Sequence, residues 1–253
     1  MKNYIQSKAS ILVIGNEILS GRTKDKNIGY IAEKLSEYGI NLKEARVISD
    51  SKEEIKRNVL ELSFKYDYVF TSGGIGPTHD DITTESIAYA LNLELEINKE
   101  ALKRLENHYH GTDIKLNSSR RKMAIIPKGA ILIDNPVSAA PGFKINNIYV
   151  MAGIPRIMQS MLDNILSTLK KGPKNHSETI SCSLGEGSIA EGIKNIQDGY
   201  PNVDIGCYPF FKAGNFGVSI VIRSVNKQEI SNVLTKVKSL IIALGGEPKM
   251  IES

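Results

Sequence analysis

The chain has 253 residues, 41% apolar and 24% charged, which is the composition of an ordinary globular protein with room for one large domain and a smaller one. Its net charge of +4 comes from 32 basic and 28 acidic residues, with no long basic block, so nucleic acid is not expected as a partner. No apolar run is long enough to span a bilayer, Met1–Lys8 lacks the apolar core of a signal peptide, and Cys182 and Cys207 stand outside any metal-ligand spacing; the expectation is a soluble, cytoplasmic protein with no membrane partner.

In chain order, Ser10–Ile14 is a β-branched run ending at Gly15, the pattern of a buried parallel strand. Ile28, Ile31, Ala32 and Leu35 recur at helical spacing before Gly39. Asn41–Ile48 reads as a second strand ending at Asp50, Glu53–Lys65 as a helix, Tyr68–Thr71 as a third strand, and Thr84–Leu91 as the next helix. Lys99–Tyr109 reads as a helix, 111–117 as a loop and Ser118–Met123 as a short helix. Ala130–Ile133 and Ile148–Met151 read as strands flanking Asn135–Phe143. Pro155–Leu169 is helical and stops at Lys170-Lys-Gly-Pro173. This alternation predicts an α/β fold, three layers around a mainly parallel sheet, over residues 8–170. Residues 175–253 change rhythm. Strands at Thr179–Ser183, Ile205–Pro209 and Gly217–Arg223, with helices near Ser188–Gln197 and Gln228–Leu244, predict a smaller α+β domain.

Tyr68–Thr84 is the most informative stretch. A buried strand runs into Gly73, Gly74 and Gly76, and an acidic, hydroxyl-rich turn then leads into a helix. Glycines let backbone N–H groups approach an anion, and the helix N-terminus points its positive end at the same place. Asp80 and Asp81 would repel a bare phosphate there, which suits a hard cation or ligand hydroxyls; a helix-capping role for Asp81 or Thr83 is the competing reading. In a parallel sheet, ligands bind beyond the carboxyl ends of the strands. Gly15-Asn16-Glu17, Asp50, Gly73–Asp81, Asn135–Gly142 and Ala152–Pro155 all fall at that edge. Glu17, Asp50, Asp80 and Asp81 are therefore expected to converge on a Mg²⁺-like ion carrying a pyrophosphate, against the plainer reading of Glu17 and Asp50 as loop or cap residues. His79 is a candidate donor or acid near a phosphate. His108 and His110 read as surface in preference to a metal pair, and Arg120-Arg121-Lys122 as solvated surface.

Gly73-Gly-Ile-Gly-Pro-Thr-His-Asp-Asp-Ile-Thr83 resembles the signature of the MoaB/Mog molybdopterin-binding superfamily. Gly15-Asn-Glu-Ile-Leu-Ser-Gly21, Asp25-Lys-Asn27, Asn135-Pro-Val-Ser-Ala-Ala-Pro-Gly142 and Gly153-Ile-Pro155 extend the likeness to the CinA N-terminal branch. The small domain, with Cys207-Tyr-Pro209, is similar to that of short stand-alone bacterial members and of eukaryotic-type FAD synthases. Ala152, Ile157 and Ser138 stand where the CinA branch usually has Pro, Glu and Gly, which favours the stand-alone form. The resemblance implies a nucleotide or pterin ligand held through Gly73, Gly74, Gly76, Thr78, Thr83, Asn135, Gly153 and Pro155. It implies Asp81, Asp50 and Asp80 as catalytic residues, Asp81 and Glu17 as ligands of a divalent cation (Mg²⁺ or Co²⁺), and a homodimer or trimer. The activity implied is hydrolysis of a nucleotide pyrophosphate of the ADP-ribose or FAD class. The rival is a non-hydrolytic binder of molybdopterin in molybdenum-cofactor metabolism.

Overall fold

A computed structural model describes residues 6–212 and 214–251. The chain divides into two compact units, Met1–Gly172 and Pro173–Ser253. In chain order the first unit comprises β1 (Lys8–Ile14), α1 (Asn16–Leu19), α2 (Asn27–Glu37), β2 (Asn41–Ile48), α3 (Lys52–Lys65), β3 (Tyr68–Ser72), α4 (Thr83–Ala90), β4 (Leu95–Ile97), α5 (Lys99–Tyr109), α6 (Ser118–Lys122), β5 (Ile125–Pro127), β6 (Ile131–Ile133), β7 (Gly142–Ile145), β8 (Ile148–Met151) and α7 (Pro155–Leu166).

Six strands form its main sheet in the order β2-β1-β3-β8-β7-β6. The first four run parallel, and β7 runs antiparallel to both neighbours. The central strands are buried on both faces, which is why their sequences are apolar runs without polar alternation. Successive residues of β1 serve opposite layers. Ile11 and Val13 join Ile31 and Leu35 of α2 and Met158, Met161, Leu162 and Ile165 of α7 on one face. Leu12 and Ile14 join Ile55, Val59 and Leu62 of α3 and Ile87 of α4 on the other. Each such side chain, fully buried, contributes about 1.5–3 kcal/mol relative to exposure.

Two details depart from the sequence reading. Gly142–Ile145, which the sequence reading leaves without an element between the strands Ala130–Ile133 and Ile148–Met151, is the strand β7. It pairs with β8 through a two-residue turn at Asn146-Asn147, where Asn146 has φ 51°; Asn tolerates that conformation better than most residues. The short ribbon β4–β5 and the four-residue α1 also lack the length that makes periodicity visible.

At the β2–α3 edge, Arg46 donates to Glu61 and to Glu44 (2.7 Å), while Lys65 Nζ and Tyr66 Oη also donate to Glu44 Oε2, at 2.7 and 2.6 Å. These bonds, from Lys65 first, then Tyr66 and Arg46, hold the Glu44 carboxyl down at about 2. A folded-state value below the unfolded one adds stability at neutral pH that is lost as pH falls from about 4.5 towards 2. Urea unfolding at pH 7 and pH 3 will therefore show a smaller loss for Glu44→Gln than for the wild type; equal losses would remove this network from the acid response.

The second unit runs β9 (His176–Cys182), α8 (Glu186–Asp198), β10 (Asp204–Lys212), β11 (Asn215–Ser224), α9 (Lys227–Ala243) and β12 (Lys249–Ile251). Its four-stranded sheet has the order β10-β11-β9-β12, antiparallel throughout. This βαββαβ arrangement buries Ile180, Val218, Ile220 and Ile222 against Ile189 and Ile193 of α8 and Ile230, Val233, Val237 and Ile241 of α9.

Candidate functional site

Because β1, β2, β3 and β8 run parallel, the segments following them lie at one sheet edge, and hydrogen bonds join those segments to one another. Gly15 N–H donates to Ile48 C=O (3.1 Å), and Asn16 N–H donates to Asp50 Oδ2 (2.8 Å). Gly73 N–H donates to Met151 C=O (3.1 Å). A Cβ on Gly153 would stand 3.2 Å from Gly73 Cα, so the loops after β3 and β8 touch.

The glycine loop is shaped by close backbone approach. Gly73 has φ 112°, and a Cβ there would lie 2.1 Å from the Ile14 carbonyl oxygen. Gly74 has φ 70°, with Thr83 Oγ1 where its Cβ would be. Thr83 N–H donates to Gly74 C=O (2.9 Å) and Thr83 is fully buried, so it supports the loop from beneath. Asp81 closes the loop: its Oδ2 accepts from Thr78 N–H (2.8 Å) and from Thr78 Oγ1, and packs over Gly76, which has no room for a side chain. The N–H groups of Gly73 and Thr78 are thus occupied. Those of Gly74, Ile75 and Gly76, half-buried and consecutive, have no acceptor among the described residues. Successive unpaired N–H groups make a concave anion-binding site.

Asp80 is exposed, and its carboxyl is held below the usual range, mainly by the nearby Thr78 hydroxyl and then by its own backbone N–H. His79 is almost wholly exposed, 3.9 Å from Asp80. Glu17 is exposed and folds back beside Gly15. Asn135, after β6, is buried. Its Nδ2 donates to Ser138 Oγ and Ala140 C=O, both at 2.7 Å, and its Oδ1 accepts from Val137 and Ser138 N–H. Its amide is fully engaged in shaping its own turn. Pro155 is the first residue of α7, where a missing N–H is harmless.

Residues 10–171 match the family described as a probable molybdopterin binding domain. The chain belongs to that family. Residues 174–244 match the FAD synthase middle domain. A protein of Sulfurisphaera tokodaii is 35% identical over 94% of this chain and 96% of its own. One from Pyrococcus abyssi is 44% identical over 62% of this chain and 67% of its own. A protein of Caenorhabditis elegans named as a probable FAD synthase is 30% identical over 92% of this chain, which spans half that relative's length. The crystal structure of a Thermoplasma acidophilum protein, CinA with unknown function, superposes with a TM-score of 0.60 at 32% identity, covering 64% of this chain and 98% of that one. The chain is thus a CinA-like member of the family.

Within this family fold, Glu17, Asp50, Asp80 and Asp81 all follow strands of the main sheet. Among the described residues no group of three or more His, Cys, Asp or Glu is arranged to hold a metal ion. Asp81 binds backbone of its own loop and Asp50 binds backbone of the segment after β1, each through Oδ2, which places them as organisers of the sheet-edge loops with one carboxylate oxygen apiece uncommitted to those bonds. That donor set does not form a protein-only cage. It fits a cation that arrives on a diphosphate, since Mg²⁺ commonly takes only one or two carboxylates besides substrate phosphates.

Two residues escaped the sequence reading. Asn27, the first residue of α2, is buried, and its Nδ2 donates to Ser72 Oγ (2.7 Å) and Gly153 C=O (2.8 Å). It ties the end of β3, just before the glycine loop, and the β8 loop to α2; only the Asp25-Lys-Asn27 motif hinted at it. Lys122, expected as solvated surface, sends Nζ to Asp81 C=O (2.8 Å) and Thr78 C=O (3.3 Å). No spacing signal in the sequence links it to a loop some forty residues earlier.

Proposed function

We propose that the Gly73–Asp81 loop binds the diphosphate of an adenosine-containing dinucleotide and that the protein hydrolyses it. The observation that carries this reading is the row of three unpaired N–H groups at Gly74, Ile75 and Gly76, bracketed by Asp81 and Thr78. The likeness of residues 174–244 to the FAD synthase middle domain, and of most of the chain to a probable FAD synthase, supports a flavin dinucleotide or a close analogue as the substrate class.

In this reading the three N–H groups hold the phosphate oxygens, and Asp81 and Asp50 orient the attacking water. A water oxygen bonds to one phosphorus, the bridging P–O bond breaks, the bridging oxygen leaves on the other phosphate, and the water's proton is released. A divalent cation entering with the diphosphate, held by Asp81 or Asp50, would supply charge neutralisation and a lowered pKa for the water. We include self-association, dimer or trimer: Phe64 and Leu60, one turn apart on α3, are 96% and 40% exposed, and light scattering showing only the 27.8 kDa chain would remove it. The second reading, a binder of molybdopterin without hydrolysis, draws on the family's description.

Incubation of the purified chain with FAD or ADP-ribose and Mg²⁺ or Co²⁺ separates the two readings. The expected product is AMP, with FMN or ribose 5-phosphate. Ligand binding with no AMP would favour the binder.

A further inference from the structure

We propose that Lys122 is the protein's own charge partner for the bound diphosphate, an inference that rests on the diphosphate reading above. The loop that would take the ligand carries two acids, Asp80 and Asp81, and no lysine or arginine in its own sequence. An anion entering there meets repulsion unless positive charge is supplied from elsewhere. Lys122 supplies it. The residue ends α6 and is half-buried. Its ammonium donates to Asp81 C=O at 2.8 Å and Thr78 C=O at 3.3 Å, which pins it to the same loop that presents the unpaired N–H groups.

An ammonium has three donors. Two are used on loop carbonyls and the third has no acceptor among the described residues. Nor does Lys122 pair with a carboxylate among the ion pairs of the described residues, whereas its neighbour Arg121 pairs with Glu106 at 3.7 Å. Fixed by two neutral carbonyls, this half-buried ammonium is placed to donate its remaining N–H to a third partner. A phosphate oxygen is the group that both the free N–H row and this ammonium would accept. Holding the lysine in place beforehand also removes the rotamer entropy that a surface lysine loses on binding. Lys122 is thus a binding residue, and the carbonyl bonds are what position it.

The test is titration calorimetry of ADP-ribose and of adenosine into the wild type, Lys122→Gln and Lys122→Arg at low and high salt, with thermal unfolding of each variant. Lys122→Gln is expected to weaken ADP-ribose by about 10- to 100-fold, the range for loss of a charge-assisted hydrogen bond. It should also flatten the salt dependence of binding and leave any adenosine binding unchanged. Lys122→Arg should recover most of the affinity and the salt dependence. Unchanged ADP-ribose affinity and salt slope in Lys122→Gln would overturn this inference while leaving the diphosphate reading intact. So would an equal loss for adenosine and ADP-ribose, because that describes a collapsed loop. If the wild type binds neither ADP-ribose nor FAD, the diphosphate reading falls and the role of Lys122 falls with it.

Discussion

Gly73→Ala will destabilise the chain by about 3 kcal/mol or more and disorder the glycine loop. Two independent causes act together. At φ 112° an L side chain is strained wherever it has room, and here the added Cβ would stand 2.1 Å from the Ile14 carbonyl oxygen. That oxygen belongs to β1, in the middle of the sheet, and cannot retreat without disturbing the β1–β2 and β1–β3 ladders. Gly21→Ala is the control. Its φ is 72°, but nothing lies within 4 Å of the added Cβ, so only the conformational penalty of about 1–2 kcal/mol applies. Urea unfolding of both variants decides the matter. Equal, small losses would mean that the loop is free to move away from β1.

If the proposed dinucleotide hydrolysis is the protein's activity, Asp81→Asn will reduce it by roughly 10²- to 10³-fold, the scale for removing one group that acts on the transition state, while the fold persists. The substitution separates chemistry from architecture. Asparagine is the same size and its Oδ1 can still accept from Thr78 N–H, so the closing bond to the loop, 2.8 Å in the wild type, has a replacement. A residue that only capped the turn would be replaced with little loss. One whose negative charge acts on a water or a cation would not. Asp80→Asn should matter less, because that carboxylate is exposed. Steady-state kinetics with AMP detection, beside a thermal melt of each variant, reads both effects. A variant as active as the wild type would confine Asp81 to loop architecture.

The fold was legible because its central strands are buried on both sides, and Ser10–Ile14, Tyr68–Thr71 and Ile148–Met151 read as apolar runs bounded by turn residues. The helices showed themselves by period, as in Ile55, Val59 and Leu62. What escaped were short elements whose pairing is decided by tertiary contact. Gly142–Ile145 starts on the glycine of an Ala-Pro-Gly stretch typical of turns, and only its hairpin with β8 makes it a strand. At the site, the glycine loop and its location at the sheet edge were readable, because a strand followed by glycines has few other uses. The allocation of hydrogen bonds was not. Asn135 carried a family motif yet engages its amide in its own turn. The four acids shared one edge without forming a metal-binding group among the described residues. Lys122 and Asn27 reach the loop only through the packing of α6 and α2, which no local pattern encodes.

A crystal structure of the chain soaked with ADP-ribose in the presence of Mg²⁺ decides whether the glycine loop is the diphosphate site. The diphosphate, or the AMP left by its hydrolysis, is expected with phosphate oxygens accepting from the N–H groups of Gly74, Ile75 and Gly76 and with Asp81 beside the phosphates. Ligand bound elsewhere in the chain, with those three N–H groups unengaged at saturating concentration, would contradict that placement.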